Sequence, residues 1–193
     1  MNDIKRCKWC NLKNPLYLAY HDQEWCRPRF DDPYLYEMLI LESFQAGLSW
    51  ECVLNKRESF REAYDHFDLE KVCNYDYEKV EALLNNKHII RNKLKINASI
   101  QNSRIFKEIV KEHGSFYNYL RKFFSEDIIY ETDKTTNELS DLISKDLQKR
   151  GMKFVGSVII YSYLQAIGMI YSHDQECYLY KNRKKECYYE IHL

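Results

Sequence analysis

The sequence predicts an all-α fold. Eight segments carry apolar residues at helical spacing, and none shows the alternation of apolar and polar residues that is typical of a half-buried strand. The chain has only 5 Gly and 3 Pro in 193 residues, which is few for the many tight turns of a β-sheet protein. We therefore expect one globular unit made of helices, large enough to form two lobes.

The predicted helices cover the chain from residue 33 onward. The first, 33–45, has Asp32 as a predicted N-cap, Pro33 at its first position and Gly47 as its stop. The others cover 49–55, 57–65, 76–85, 89–111, 114–124, 135–150 and 155–170. The last lies in a stretch of 18 residues without a formal charge, which reaches the minimum length of a membrane span. Its polar and Gly residues favour a helix buried in the protein over a membrane span.

Glu42 is the most unusual residue of the first predicted helix. It lies in the apolar segment 38–50 and shares a helix face with Leu35 and Met38. Burying a carboxylate is costly unless a cation or hydrogen-bond donors compensate for the lost solvation. One explanation is structural, either an ion pair with an Arg or a cap on a neighbouring helix, and the other is a binding site that uses the carboxylate.

Aromatic residues are concentrated near Glu42 in the sequence. All 3 tryptophans lie within the first fifty residues, and Tyr17 and Tyr20 would share one helix face. Aromatic faces attract positive charge and a carboxylate accepts hydrogen bonds from N–H groups, so a pocket made of both suits a flat cationic ring. An aromatic-rich core is the alternative, because the chain contains 17 tyrosines. The predicted pocket consists of Trp9, Tyr17, Tyr20, Trp25, Glu42 and Trp50.

Basic residues are unevenly distributed, although the formal net charge is zero. The segment 87–107 has no acidic residue, and its basic residues are Lys87, Arg91, Lys93, Lys95, Arg104 and Lys107. A solvated helix face is one explanation for such a cluster. The other is a phosphate-binding stripe, since a local basic patch on a neutral protein suffices to hold a nucleic-acid backbone.

Cysteine and histidine residues near the two ends of the chain form a candidate metal-ligand set, and the alternative is that a His and a Cys lie four residues apart by chance. There are 7 cysteines and no apolar N-terminal run of the secretory type, so we expect reduced thiols or metal ligands in a cytoplasmic protein. Cys7 and His21 lie near one end, and His173 and Cys177 lie four residues apart near the other. Two sulfurs and two imidazoles form a closed tetrahedral zinc set. Cys10 offers a rival pair with Cys7.

Four motifs in the sequence resemble those of a known family. They cover 6–9, 15–25, 41–50 and 149–156 and read RCKW, PLYLAYHDQEW, LESFQAGLSW and KRGMKFVG. In this order they resemble the bacterial 3-methyladenine DNA glycosylase I family, from about Arg6 to Cys177. The resemblance implies a single domain over 1–193 of the helix-hairpin-helix glycosylase type. It has two helical lobes, a hairpin near 83–96 and a tail at 178–193 of unassigned role.

The resemblance also implies an activity and its residues. The expected enzyme is a monofunctional glycosylase, without lyase activity, that flips out 3-methyladenine and releases it by hydrolysis from double-stranded alkylated DNA. One structural Zn²⁺ per chain would be held by Cys7, His21, His173 and Cys177. The base would be bound by the six residues of the predicted pocket, among which Glu42 is assigned to catalysis through base recognition. The DNA would be contacted by Gly47, Leu48, Arg91, Lys93 and Lys95. We expect a monomer without a membrane segment, located with the nucleoid.

Four features depart from the pattern of the family or of related glycosylases, and one of them is the tail beyond Cys177, in which Tyr188, Tyr189 and Ile191 match no family motif. Cys26 and His88 stand where the family usually has Gly, which tolerates a positive φ. The segment 154–158 contains no acidic residue, whereas related helix-hairpin-helix glycosylases usually carry an Asp there, so no general base is assigned. Two other functions stay open at this point. One is a non-catalytic binder of alkylated bases or DNA, and the other is a hydrolase for a cationic small metabolite.

Overall fold

Ten α-helices make up almost all of the regular structure in the computed structural model, which describes residues 4–125 and 128–181. The all-α prediction is thereby confirmed. Residues 182–193 of the predicted tail lie outside the described residues. The helices are α1 (Pro15–Gln23), α2 (Asp32–Gln45), α3 (Trp50–Leu54), α4 (Arg57–Ala63), α5 (Leu69–Cys73), α6 (Tyr77–Asn85), α7 (Lys93–His113), α8 (Phe116–Arg121), α9 (Glu138–Lys149) and α10 (Ser157–Ala166).

The predicted helices agree with the observed ones except at short elements and some helix ends. Helices α1 and α5, with 9 and 5 residues, are not among the predictions. Helix α2 is capped by Asp31 rather than Asp32. Helix α7 begins at Lys93 rather than at residue 89. Asn92 caps this start, since its side chain accepts a hydrogen bond from the Lys95 N–H.

A short parallel strand pair is the one departure from an all-helical structure among the described residues. β1 (Ile129–Tyr130) pairs with β2 (Ile170–Tyr171), with Ile129 opposite Ile170. Two residues per strand are too few to show alternation in a sequence. Residues 131–137, which join β1 to α9, contribute to the wall of the cavity described below.

Helix α2 is the centre of the core. Ten of its 14 residues are buried, and it packs against α10, α7, α3 and α8. Helix α10, the predicted buried helix, has 10 residues and carries Ser162 and Gln165 among its apolar side chains. None of the described helices is both long and apolar enough to span a membrane.

The two positions at which the chain departs from the family's usual Gly differ in backbone conformation. Cys26 has φ 61°, the left-handed conformation that costs an ordinary residue about 1–2 kcal/mol. Its N–H donates to the Gln165 carbonyl at 3.0 Å and its Sγ accepts from the Ser172 N–H at 3.3 Å, so surrounding contacts hold it in place. His88 is not among the described residues with positive φ, and its N–H donates to Asn86 Oδ1 at 2.9 Å.

Candidate functional site

A cavity of about 350 Å³ lies where α1, α2, α3 and α10 meet. All six residues of the predicted pocket line it, so the fold brings together side chains that are up to 41 positions apart in the sequence. They are Trp9, Tyr17, Tyr20, Trp25, Glu42 and Trp50. With the exception of Trp9, which is 36% exposed, these side chains are buried.

Helix caps place the aromatic side chains. Pro15 and the cap residue Asn14 begin α1, which presents Tyr17 and Tyr20 on one face. The ring centroids of Tyr20 and Trp50 lie 5.3 Å apart, and those of Trp9 and Tyr17 lie 5.2 Å apart. Trp9 also meets Trp25 edge-on at 4.7 Å. These contacts give the cavity an aromatic wall of defined shape.

Glu42 faces the cavity without a cationic partner. It is 2% exposed, and its Oε2 has no hydrogen-bond partner among the described residues. Burial raises the pKa of Glu42 well above its usual range. The buried cation of this region, Arg57, instead binds Glu24 at 2.7 Å and Glu37 at 2.6 Å. The interpretation of Glu42 as half of a structural ion pair with an Arg is therefore not supported.

Two further buried polar atoms beside Glu42 lack partners among the described residues. They are Oε1 of Gln45 and Nε1 of Trp50, and both residues line the cavity. Leaving a buried donor or acceptor unpaired costs about 1–3 kcal/mol. One donor and two acceptors around an aromatic cavity are therefore suited to a planar ligand that carries both kinds of group.

Four buried ligand atoms form a second cluster behind the aromatic wall. The candidate ligand atoms of Cys7, His21, His173 and Cys177 all lie within 4.8 Å of one another. His173 Nδ1 lies 3.4 Å from the Cys7 sulfur and 3.6 Å from the Cys177 sulfur, close to the ~3.5 Å separation that tetrahedral zinc with S and N ligands requires. Cys10 is not part of this group. Its sulfur instead lies 3.9 Å from the Tyr17 carbonyl oxygen.

The protonation chemistry and the outer contacts of this cluster suit a metal ion. Burial raises the pKa of the Cys7 thiol, so a thiolate there needs a cation, and burial lowers the pKa of His173 to about 3, which keeps the imidazole neutral. His21 Nδ1 lies 2.7 Å from Asp22 Oδ1, and Arg6 in turn binds that carboxylate with two nitrogens. A carboxylate that orients a histidine in this way is typical of metal sites.

The cluster and the cavity share a wall. Trp25 is stacked with His21, with ring centroids 6.2 Å apart, and meets His173 edge-on at 4.8 Å. Asp174 also lines the cavity, while its N–H donates to the Cys7 sulfur at 3.3 Å. The four-residue cluster is therefore in contact with two residues that border the cavity, Trp25 and Asp174.

The predicted DNA-contact residues occupy different environments. Gly47, with φ 77°, and Leu48, which is 42% exposed, form a turn after α2. Arg91 and Lys93 are exposed at the end of the loop 86–92 and the start of α7. Lys95 is 7% exposed, and its ammonium donates to backbone carbonyls, which does not agree with the prediction that it holds the DNA backbone. The structure brings its Nζ to the end of α2 instead.

Sequence reasoning missed seven residues that also line the cavity. Gln45, Asp133, Lys134, Ser162, Gln165, Ser172 and Asp174 complete its wall. A signal for part of this set is present in the sequence: Gln45 lies three positions after Glu42, and Ser162 and Gln165 are likewise three apart in an apolar helix. For Asp133 there is no such signal, because it reaches the cavity through the loop that follows β1.

Three comparisons place this architecture among known proteins. A family model described as methyladenine glycosylase matches residues 9–180. The DNA-3-methyladenine glycosylase 1 of Escherichia coli (strain K12) is 40% identical over 187 residues, which is 94% of this chain and 100% of that protein. A crystal structure of a 3-methyladenine DNA glycosylase I covers 92% of this chain and 100% of its own, with 39% identity and a TM-score of 0.87.

A second similar structure is that of a protein from Staphylococcus aureus. The 3-methyladenine DNA glycosylase I of Staphylococcus aureus, described as showing the structural basis of 3-methyladenine recognition, covers 90% of this chain and 96% of its own. Its sequence identity is 30% and its TM-score is 0.84. The similarity of both structures extends over nearly the whole chain.

Proposed function

This chain belongs to the methyladenine glycosylase family, and on that basis we propose that it is a DNA repair glycosylase that releases 3-methyladenine from alkylated double-stranded DNA. The observation that carries the proposal is the aromatic cavity with the buried, unpaired carboxylate of Glu42. Such a cavity is complementary to a flat ring that carries a positive charge and an exocyclic N–H donor.

The chemistry of the substrate explains why this chain needs no strong acid. Methylation at N3 makes the adenine ring cationic, so the bond between C1′ of the sugar and N9 breaks with its electron pair moving to the base, which leaves neutral. Water adds to C1′ and loses a proton, which leaves an abasic sugar. The enzyme has to extrude the nucleotide, at a cost of a few kcal/mol, and to bind the ring in its departing geometry. Glu42 is the residue we assign to base recognition, and its negative charge would also favour the cationic sugar that develops.

Selection against normal adenine follows from the same cavity. A neutral base gains less from the faces of Tyr20 and Trp50 and from the Glu42 carboxylate than a cationic one does. A normal base is also held in an intact pair, which makes it more costly to flip. Recognition therefore depends on charge and on the ease of extrusion, and it requires no acid that protonates the leaving group.

Two exposed features would hold and open the DNA. Arg91 lies near the end of the loop 86–92 between α6 and α7, and Lys93 begins α7. We propose that this loop is the hairpin that binds the phosphate backbone. The turn at Gly47 and Leu48 lies between Glu42 and Trp50, where an apolar side chain can fill the space left by the flipped base. These contacts involve no base-edge readout, which suits a search for damage at any sequence.

We further propose that the four-residue cluster of Cys7, His21, His173 and Cys177 holds one structural Zn²⁺. The donor set of two sulfurs and two imidazoles is closed, which leaves no position for a reactive water. Bound there, zinc would supply a cation that stabilises two buried thiolates and joins the two ends of the chain. It would take no part in base release.

Base release from methylated duplex DNA tests the activity. The protein is incubated with DNA treated with a methylating agent, and the released bases are separated by chromatography. We expect 3-methyladenine release well above the spontaneous rate, a strong loss in Glu42→Gln and no change in Glu108→Gln, which alters an exposed carboxylate on α7. Release no faster than the spontaneous rate would reject the enzymatic proposal in favour of a non-catalytic binder. A hydrolase for a small metabolite would keep its activity after neutralisation of Arg91 and Lys93.

Elemental analysis tests the metal. Protein purified without added metal should contain close to one zinc per chain, and Cys7→Ser should contain much less. Cys10→Ser is the matched control, because it changes a buried thiol of the same segment that lies outside the cluster. A zinc content below a tenth of an equivalent, or equal loss in both variants, would reject the assignment.

A further inference from the structure

Lys95 is a buried cation without a carboxylate partner among its hydrogen bonds in the described residues. Its side chain leaves the first turn of α7, two residues after the exposed Lys93, and runs into the protein. Its Nζ donates to the Phe44 carbonyl at 2.8 Å and to the Ala46 carbonyl at 2.5 Å. Burying a charge in this way is costly, so we expect the Lys95 ammonium to have a specific structural or functional role.

The carbonyls that Lys95 binds belong to the end of α2. The last turn of a helix leaves its carbonyls unpaired and carries partial negative charge, which a cation stabilises. Helix α2 has no basic residue in its own last turn, so this cation comes from another helix. Between the two carbonyls bound by Lys95 lies that of Gln45, which accepts from the Leu48 N–H at 2.6 Å. Lys95 and the Leu48 N–H together donate hydrogen bonds to three consecutive carbonyls at the end of α2.

The turn that Lys95 holds has little else to fix it. Gly47 has φ 77°, and a Cβ added at Gly47 would meet no atom within 4 Å, so the turn projects into open space. Leu48 at its tip is 42% exposed. The Lys95 ammonium also lies 5.8 Å from the centroid of the Phe154 ring, so three separate segments meet at this one charge.

We propose that Lys95 is a positioning residue that fixes the turn carrying Leu48 and couples its placement to the seating of the loop 86–92 on the DNA backbone. The inference rests on the proposed function, because it concerns the step in which Leu48 enters the DNA. Lys95 lies on the helix that begins directly after that loop, and its tip reaches the turn. A phosphate bound by Arg91 or Lys93 would therefore be connected to the turn that carries Leu48 through the first turn of α7 and the Lys95 side chain.

A double-mutant cycle tests this role. Lys95→Met, Leu48→Ala and the double variant are compared by the kcat/KM with which each releases 3-methyladenine from duplex DNA, and calorimetric binding of the free base checks the cavity. We expect Lys95→Met to lower kcat/KM by about a hundredfold, the effect of a misplacement near 1 Å, with the free base bound as in the wild type. In Leu48→Ala the Lys95 substitution should cost little more, because it acts through Leu48.

The salt dependence of DNA binding separates positioning from direct phosphate contact. Lys93→Met is the matched control, since it removes an exposed lysine two residues away. It should make the negative slope of log affinity against log salt shallower by about 1, while Lys95→Met should leave the slope unchanged. A slope lowered equally in both variants, full activity in Lys95→Met, or losses that add in the double variant would each overturn the inference.

Two further results keep the outcome interpretable. If Lys95→Met does not fold, Lys95→Arg takes its place in the cycle, because it keeps the charge and donors but moves the turn, and the same non-additivity with Leu48→Ala is expected. If the wild type releases no 3-methyladenine, the proposed function fails. If it does and the Lys95 variants match it, only the positioning role fails.

Discussion

Glu42 combines two properties that ordinarily conflict: it is buried among apolar residues, and one of its oxygens has no hydrogen-bond partner in the described part of the chain. Because burial raises the pKa of Glu42, its carboxyl group is protonated more readily in the free protein than that of a glutamate exposed to water. A cationic ring that enters the cavity favours the ionised form instead. Binding of such a ring is therefore expected to release a proton from Glu42.

The same raised pKa predicts how the stability of Glu42→Gln compares with that of the wild type at different pH values. Below the unfolded-state pKa of about 4.3 the carboxyl is protonated in both states, so the group has its full stability contribution. As the pH rises above that value, the unfolded chain ionises first and the wild type loses stability until the folded-state pKa is passed. Glu42→Gln lacks this loss, so its stability relative to the wild type should increase from pH 4 toward neutral pH.

Urea unfolding at several pH values measures this difference. The free energy of unfolding is determined for the wild type, for Glu42→Gln and for the exposed control Glu108→Gln. A gap between Glu42→Gln and the wild type that stays constant from pH 4 to pH 8 would mean that Glu42 is not titrating with a raised pKa.

At the scale of elements, the loop 86–92 and the start of α7 account for the part of the basic segment that is free to meet DNA. Arg104 donates to the Cys73 carbonyl at 2.9 Å and Lys107 binds Glu70 at 2.6 Å, so the far end of the segment is engaged with the protein. Only the end that holds Arg91 and Lys93 points its charges outward without an observed ion pair in the described structure.

Replacing both arginine and lysine at this end should weaken DNA binding in a salt-dependent manner. Arg91→Ala combined with Lys93→Ala is expected to lower the slope of log affinity against log salt by about 2, since each phosphate contact contributes about 0.9. Affinity for free 3-methyladenine should not change. Binding to a duplex measured from 50 to 200 mM salt gives the slope, and Lys107→Ala is the control from the same segment. An equal slope in the double variant and the control would exclude this end from the backbone contact.

The helical elements could be predicted from the sequence more accurately than the individual side-chain contacts between them. Helix α2 is recognisable from its cap, its Pro and its apolar run, and the six pocket residues could be grouped because charge and aromatic rings are rare together in such a segment. The burial of Lys95 could not be predicted, because its neighbours Lys93 and Arg91 have the same local pattern and point outward. The role of the loop 131–137 could not be predicted either, since it depends on a strand pair of two residues.

At the scale of the whole molecule, the four-residue cluster of Cys7, His21, His173 and Cys177 joins segments that are far apart in the chain. Cys7 and His173 are separated by 166 positions in the sequence. The N-terminal segment is also held by the Tyr178 N–H, which donates to the Lys5 carbonyl at 2.9 Å, and by the Lys8 N–H, which donates to Asp174. A bound metal would therefore stabilise the fold globally, because the unfolded chain lacks the preformed site.

Chelation should lower the melting temperature of the protein. A metal present at a hundred times its Kd stabilises the folded state by about 2.7 kcal/mol. For a chain of this length that corresponds to roughly 5–11 °C in Tm. Cys7→Ser should start from the lower Tm and respond little to a chelator, whereas Cys10→Ser should keep the full response. Thermal unfolding followed by circular dichroism gives these values, and equal sensitivity of all three proteins to the chelator would contradict the assignment.

The wall shared by the cavity and the four-residue cluster also gives the protein a built-in optical reporter. The chain has 3 tryptophans, and Trp9, Trp25 and Trp50 all line the cavity. Indole emission therefore comes from this one region, with no background from indoles elsewhere in the chain. Trp25 touches both His21 and His173, so loading of the metal and entry of a base should each change the emission, and the two events can be followed in the unlabelled protein.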